Sequence, residues 1–205
     1  MRGFDPLPEG AALLRKFALD AAPLLVAAID RIAAAAPFRH MLTPGGYRMS
    51  VAMTNCGRAG WVTDRRGYRY DTCDPETGRP WPALPALFLD LAGRAADAAG
   101  FSGFVPDSCL VNRYRPGTRL SLHQDRNERD FAQPIVSVSL GLPAIFLFGG
   151  AERRERARRI PLENGDVVVW GGPARLDFHG VAPLAPGEHE LTGAARLNLT
   201  LRRAL

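Results

Sequence analysis

Cysteine is scarce in this chain, and its few positions exclude two architectures. The three residues, Cys56, Cys73 and Cys109, are odd in number and show no CxxC spacing, so neither a disulfide framework nor a cysteine zinc site is expected. They read as buried or idle thiols. Lysine is almost missing: Lys16 is alone among 26 basic residues, the rest being arginine. Arginine's planar fork suits phosphate, and a net charge of +5 fits a polyanionic partner. An alanine- and arginine-rich composition also follows from nucleotide bias, so charge alone selects no partner. Long apolar runs are lacking as well. The best stretch, Ala21 to Phe38, is broken by Asp30 and Arg31 and falls short of the roughly 20 apolar residues of a membrane span. Met1 to Asp5 leads into no signal-peptide core, which places the expected compartment in the cytoplasm.

No internal repeat or low-complexity linker divides the 205 residues, so one domain is expected over 1–205. Within it, helices and short turns over 1–107 would pack on a strand-rich core over 108–205. A helix is expected from Asp20 to Ala36, with Asp20 as N-cap, Pro23 in the first turn and Pro37 as the stop. A second is expected from Pro82 to Ala99, where Leu84, Leu87, Phe88, Leu91 and Ala95 form a stripe and Gly100 ends it. Residues 41–81 interleave glycines with Tyr47, Trp61, Tyr68, Tyr70 and Trp81, the texture of short strands and tight turns. Eight short strand candidates follow: 108–115, 120–125, 135–140, 144–149, 158–163, 166–171, 176–181 and 195–202. The fold class expected is mainly β with flanking helices, a double-sheet jelly roll.

Histidine is limited to four residues, which shortens the search for a metal site. His123 and Asp125 are two apart, so on one strand both side chains would share a face and chelate together. A third ligand must come from elsewhere. His179 lies in a strand-like stretch, whereas His189 follows the turn-like Pro186 and Gly187, so His179 is the better candidate. Two imidazoles and one carboxylate leave coordination positions open and favour iron, although zinc binds the same donors. An isolated HxD also arises often as a hydrogen-bonded surface pair.

From Arg196 to Arg202 the alternation is strict: Arg196, Asn198, Thr200 and Arg202 line one face and three leucines the other. A solvated polar face is one reading. The other is a site in which Arg196 and Arg202 lean inward, bracket a short dicarboxylate and bind it through charge-assisted pairs. Asn112 and Tyr114 share one face of another strand and would add donors. Together with the metal set, this suggests a dioxygenase using Fe(II), O2 and 2-oxoglutarate.

The segments Thr43 to Gly57, Asn112 to Tyr114, Leu120 to Asp125, Ile135 to Ala144, Gly165 to Gly172 and Arg196 to Arg202 resemble the AlkB family of DNA-repair dioxygenases. The resemblance implies that His123, Asp125 and His179 hold Fe(II), and that Asn112, Tyr114, Arg196, Asn198 and Arg202 bind 2-oxoglutarate. It implies oxidative demethylation of 1-methyladenine and 3-methylcytosine in DNA, preferably single-stranded, with RNA as a further substrate, releasing formaldehyde, succinate and CO2. Such a base carries positive charge, pairs poorly and flips out at low cost. By resemblance Trp61 and His123 sandwich it. Thr43, Tyr47, Met53 and Tyr68 look like the rest of a mobile recognition lid, Ser137 and Asn127 like further substrate-side residues, and Arg153 like a DNA- or base-contacting residue. A monomer is the simple expectation.

The basic run from Arg153 to Arg159 also reads as an ordinary solvated loop. Asn127 departs from the family, which often has an acidic residue two positions after the metal-binding aspartate, and the lost charge predicts altered preference among bases. Two other functions fit parts of the pattern: an oxygenase of a protein or small molecule, and a non-catalytic nucleic-acid-binding jelly roll.

Overall fold

Pro23 in a run of alanine and leucine sets the first helix, α1 (Ala22–Ala35), in this computed structural model, which describes residues 7–205. Met1 to Asp5, considered above for targeting, lies outside the described residues. Ala21, not Asp20, is the N-cap, and no side chain caps it. Asp20 is instead part of a turn held when Ala18 N–H donates to the Gly165 carbonyl at 2.9 Å. The second helix, α2 (Ala86–Ala98), begins four residues later than expected, after Pro85 in extended geometry. A proline keeps its predecessor out of helical space, so Pro82 and Pro85 hold the chain extended until Ala86. Gly100, at φ 88°, supplies the expected stop.

The N-terminal half also contributes β1 (Ala11–Leu14), β2 (Ala52–Gly57), β3 (Gly60–Asp64) and β4 (Gly67–Asp71). All eight later candidates form strands: β5 (Ser108–Tyr114), β6 (Leu120–His123), β7 (Ile135–Gly141), β8 (Ala144–Phe148), β9 (Arg158–Leu162), β10 (Val167–Trp170), β11 (His179–Val181) and β12 (Arg196–Arg202). One sheet runs β1-β10-β7-β12-β5-β2, a second runs β6-β11-β8-β9, and β3-β4 is a separate hairpin. The N-terminal part is therefore more than an outer layer, because β1 and β2 form both edges of the large sheet. β1 escaped the sequence reading because Ala11 to Leu14 has no alternation to mark it.

Two cores follow from this arrangement. Leu25, Ile29 and Ile32 of α1 and Phe88 and Leu91 of α2 pack on the outer face of the large sheet, against Leu197, Leu199 and Leu201. Each such side chain contributes about 1.5–3 kcal/mol by burial. Between the sheets lie Trp170, Phe146, Phe148, Tyr114 and Ile135. The polar side of β12 faces this inner space. Among the described residues no helix is long and apolar enough to cross a membrane.

Candidate metal and co-substrate site

Register brings the two histidines together: β11 pairs antiparallel with β6, with His179 directly opposite His123. Their rings lie 4.5 Å apart. Asp125 does not share the strand as expected, since β6 ends at His123 and the carboxylate follows on irregular chain. It still reaches both imidazoles: His123 Nε2 is 3.8 Å from Oδ1 and His179 Nε2 is 3.7 Å from Oδ2. The ligating atoms of all three side chains fall within 4.8 Å of one another.

The surroundings orient these groups for a cation. Nδ1 of His123 lies 2.8 Å from the Ser121 carbonyl and Nδ1 of His179 lies 3.0 Å from that of Asp177. A carbonyl only accepts, so Nδ1 carries the proton and the Nε2 lone pair faces the centre. Burial, with His179 alongside, pushes the His123 pKa down to about 4 and keeps the ring neutral. Burial pushes Asp125 up, but the Arg202 guanidinium beside it outweighs this and holds the carboxyl well below its ordinary range. Two imidazole Nε2 atoms and an ionised carboxylate are the donor set that a divalent metal requires.

Beside the triad a pocket is lined by residues of both sheets, with β5, β12 and β7 supplying most of its polar wall. Tyr114 is opposite Arg196, Asn112 opposite Asn198 and Leu110 opposite Thr200, with β7 on the other side of β12. All four polar residues of β12 are buried, Arg196 to 1% exposure, which rules out a solvated face. Arg196 donates from Nη2 to Ser139 Oγ at 2.9 Å and sits 4.9 Å from the Tyr114 ring centre. Among the described residues its Nε and Nη1 have no hydrogen-bond partner, and neither does Oδ1 of Asn112. Burial raises the Tyr114 pKa to about 12, so its hydroxyl stays a donor. A buried guanidinium left half-satisfied is costly, and a carboxylate in the pocket would complete it. The residues present thus fit iron and 2-oxoglutarate.

Arg202 behaves differently from the bracket expected of it. Its Nε (2.9 Å) and Nη2 both donate to Asp125 Oδ2, so it steadies a metal ligand and leaves Oδ1 open. Arg196 alone holds the far, anion-seeking end. Ser137, expected on the substrate side, lies on the pocket floor, its Oγ accepting from Asn198 Nδ2 at 2.9 Å.

The hairpin β3-β4 carries Trp61 stacked on Tyr68, ring centres 5.7 Å apart. The sandwich expected of Trp61 and His123 holds a base between the rings, and the two rings make no direct contact among the described residues. Trp61 Nε1 instead donates to Asn127 Oδ1 at 3.1 Å. Thr43 and Tyr47 close an exposed turn, with Tyr47 78% exposed. Met53 is no loop residue: it is buried on β2, opposite Asn112. Arg153 is exposed between β8 and β9. The sequence reading missed Tyr70, Glu128, Ser139 and Arg175.

A family model described as the 2OG-Fe(II) oxygenase superfamily matches residues 10–202. The chain is 58% identical over 200 residues to the alpha-ketoglutarate-dependent dioxygenase AlkB of Escherichia coli (strain K12), covering 98% of this chain and 93% of that one. It is 35% identical over 129 residues to the nucleic acid dioxygenase ALKBH1 of Mus musculus, covering 63% of this chain and 33% of that one. Among solved structures, that of OsALKBH1 superposes with a TM-score of 0.86 at 30% identity, covering 98% of this chain and 100% of that one. The chain therefore belongs to the AlkB family of Fe(II)- and 2-oxoglutarate-dependent dioxygenases, within the 2OG-Fe(II) oxygenase superfamily.

Proposed function

We propose that the protein removes N-methyl groups from nucleic-acid bases, 1-methyladenine and 3-methylcytosine in single-stranded DNA first among them, with RNA as a further substrate. The single observation that carries this is the aromatic hairpin beside the triad: Trp61 stacks on Tyr68 and is tied to Asn127, two residues past Asp125. A π-face there suits a flipped, cationic base. The nucleic acid dioxygenase among the relatives supports the same substrate class. In this reading one monomeric, cytoplasmic unit spans the chain.

His123, Asp125 and His179 are the metal ligands. Arg196, Tyr114, Asn112 and Asn198 receive the co-substrate, with Arg202 at its metal end. Bound iron, 2-oxoglutarate and O2 together supply hydroxylation of the N-methyl carbon, the co-substrate leaving as succinate and CO2. The hydroxymethyl product then loses formaldehyde and leaves the base repaired. Trp61 and His123 flank the base, Thr43, Tyr47 and Tyr68 steer its strand, and Arg153 meets phosphate. Asn127 lacks the charge that would draw a cationic base, and its carbonyl is already engaged by Trp61. Its amide therefore offers a donor where an acidic residue offers only acceptors, which alters preference among bases.

The test is anaerobic reconstitution with Fe(II), then air, 2-oxoglutarate and oligonucleotides bearing 1-methyladenine or 3-methylcytosine, read by mass spectrometry. Loss of one methyl group with formaldehyde release is expected, with the ratio between the two bases changed in Asn127→Asp. Oligonucleotides of unchanged mass while 2-oxoglutarate is consumed would refute the substrate, and equal ratios would refute the role of Asn127.

A further inference from the structure

Trp61 and Tyr70 are directly opposite each other in the hairpin β3-β4, and they grip consecutive residues of the segment after Asp125. Trp61 holds Asn127 at the surface, whereas Tyr70 Oη donates to Glu128 Oε1 at 2.6 Å in the interior. Glu128 is 6% exposed and belongs to a closed polar ring. Its Oε2 accepts from Arg175 Nη2 at 3.1 Å, and Arg175 Nη1 donates to the Asp125 carbonyl at 2.8 Å. On the other side Glu128 Oε1 is 3.5 Å from Arg202 Nε, and Arg202 Nη1 is 3.4 Å from Tyr70 Oη. Arg202 then closes the ring on Asp125 Oδ2.

Such a ring is a poor way simply to fasten a hairpin. Two carboxylates and two guanidiniums out of water carry a large desolvation cost before pairing, and apolar side chains of the same volume often stabilise as well or better. The hairpin also has other anchors. Asn55 bonds both the N–H and the carbonyl of Trp61 at 3.0 Å, and Trp81 Nε1 donates to the Asp71 carbonyl at 2.9 Å. Those contacts hold the base of the hairpin, Asn55 tying it to β2. The ring does something they do not: from that base, through Tyr70 next to Asp71, it ties the hairpin to the arginine that steadies a metal ligand and borders the co-substrate pocket.

We propose that Glu128 is a positioning residue which, by holding the Tyr70 hydroxyl and the Arg202 guanidinium at once, couples order in the β3-β4 hairpin to co-substrate binding. The proposal rests on the co-substrate site described above, but not on the nature of the methylated substrate. With the ring intact, Arg202 presents its remaining N–H groups in one geometry and the hairpin is registered to the metal centre. With Tyr70 released, Arg202 gains freedom that 2-oxoglutarate must remove on binding, and the hairpin gains freedom that a base must remove.

Tyr70→Phe deletes only the hydroxyl, and Glu128→Gln keeps the shape while removing the charge. Two measurements without oligonucleotide decide the matter, so a wrong substrate assignment leaves the result standing. The first is amide hydrogen exchange of the metal-free protein. In Tyr70→Phe, residues 60–71 should exchange about tenfold faster while β7 and β12 keep their protection. The second is calorimetric titration of 2-oxoglutarate into Mn(II)-loaded protein, where Tyr70→Phe should bind about fivefold more weakly. Adding Tyr70→Phe to Glu128→Gln should weaken binding no further than Glu128→Gln alone. Faster hairpin exchange with 2-oxoglutarate affinity within twofold of wild type would reduce the ring to a fastener and overturn the proposal. Unchanged exchange would overturn it as well. If Glu128→Gln does not fold, Tyr70→Phe alone decides.

Discussion

Arg196 is a buried cation whose partners are a serine hydroxyl and the face of a tyrosine, with two of its three nitrogens unmatched among the described residues. Charge-assisted hydrogen bonds contribute about 1.5–3 kcal/mol each, so a carboxylate ligand gains strongly from this residue. Arg196→Met, similar in length and uncharged, should weaken 2-oxoglutarate binding by tenfold or more. Its thermal stability should hold or rise, because an uncompensated buried charge has been removed. Titration of 2-oxoglutarate and a melting curve read the two effects, and unchanged affinity would exclude Arg196 as the anion partner. The identity of these residues was legible in sequence, since alternation placed Arg196, Asn198, Thr200 and Arg202 on one face. Their division of labour was not. That Arg202 pairs with Asp125 while Arg196 is left facing the pocket depends on which of them the fold places beside a carboxylate.

At the scale of elements, the metal site depends on how closely β6 and β11 approach. A Cβ added to Gly180 would lie 2.7 Å from the Leu120 carbonyl oxygen and 3.1 Å from the Ser121 carbonyl carbon, both backbone atoms that cannot swing aside. Gly180→Ala should therefore push the strands apart next to the facing pair His179 and His123. The expected outcome is at least tenfold weaker Mn(II) binding with a melting point only a few degrees lower. Wild-type metal affinity in this variant would show that strand spacing does not set the triad. The eight strands from residue 108 onward were readable as short, closely spaced stretches with glycine and proline between several of them. The strand β1 and the late start of α2 were not. The first gains its pairing only from β10, and the second is delayed by prolines whose local effect outweighs the apolar stripe.

For the whole molecule, a net charge of +5 carried almost wholly by arginine gives a surface suited to a polyanion. Arg153 and Arg156 are exposed on the loop between β8 and β9, the strand β8 being the neighbour of β11 and its His179. If each neutralises one phosphate of a single strand, Arg153→Ala with Arg156→Ala should flatten the slope of log affinity against log salt by about 1.4. Oligonucleotide binding measured across a salt series checks this, and an unchanged slope would remove the loop from the docking surface. The sequence by itself determined the donor set and the periodicity that carries it, because ligand chemistry is a property of residue types and strand alternation is local. Only the tertiary structure decided that the polar face of β12 is buried and that Tyr70 and Glu128 join the hairpin to Asp125. Those facts depend on which distant strands are brought face to face, and charge or exposure at one position does not reveal its partner across the sheet.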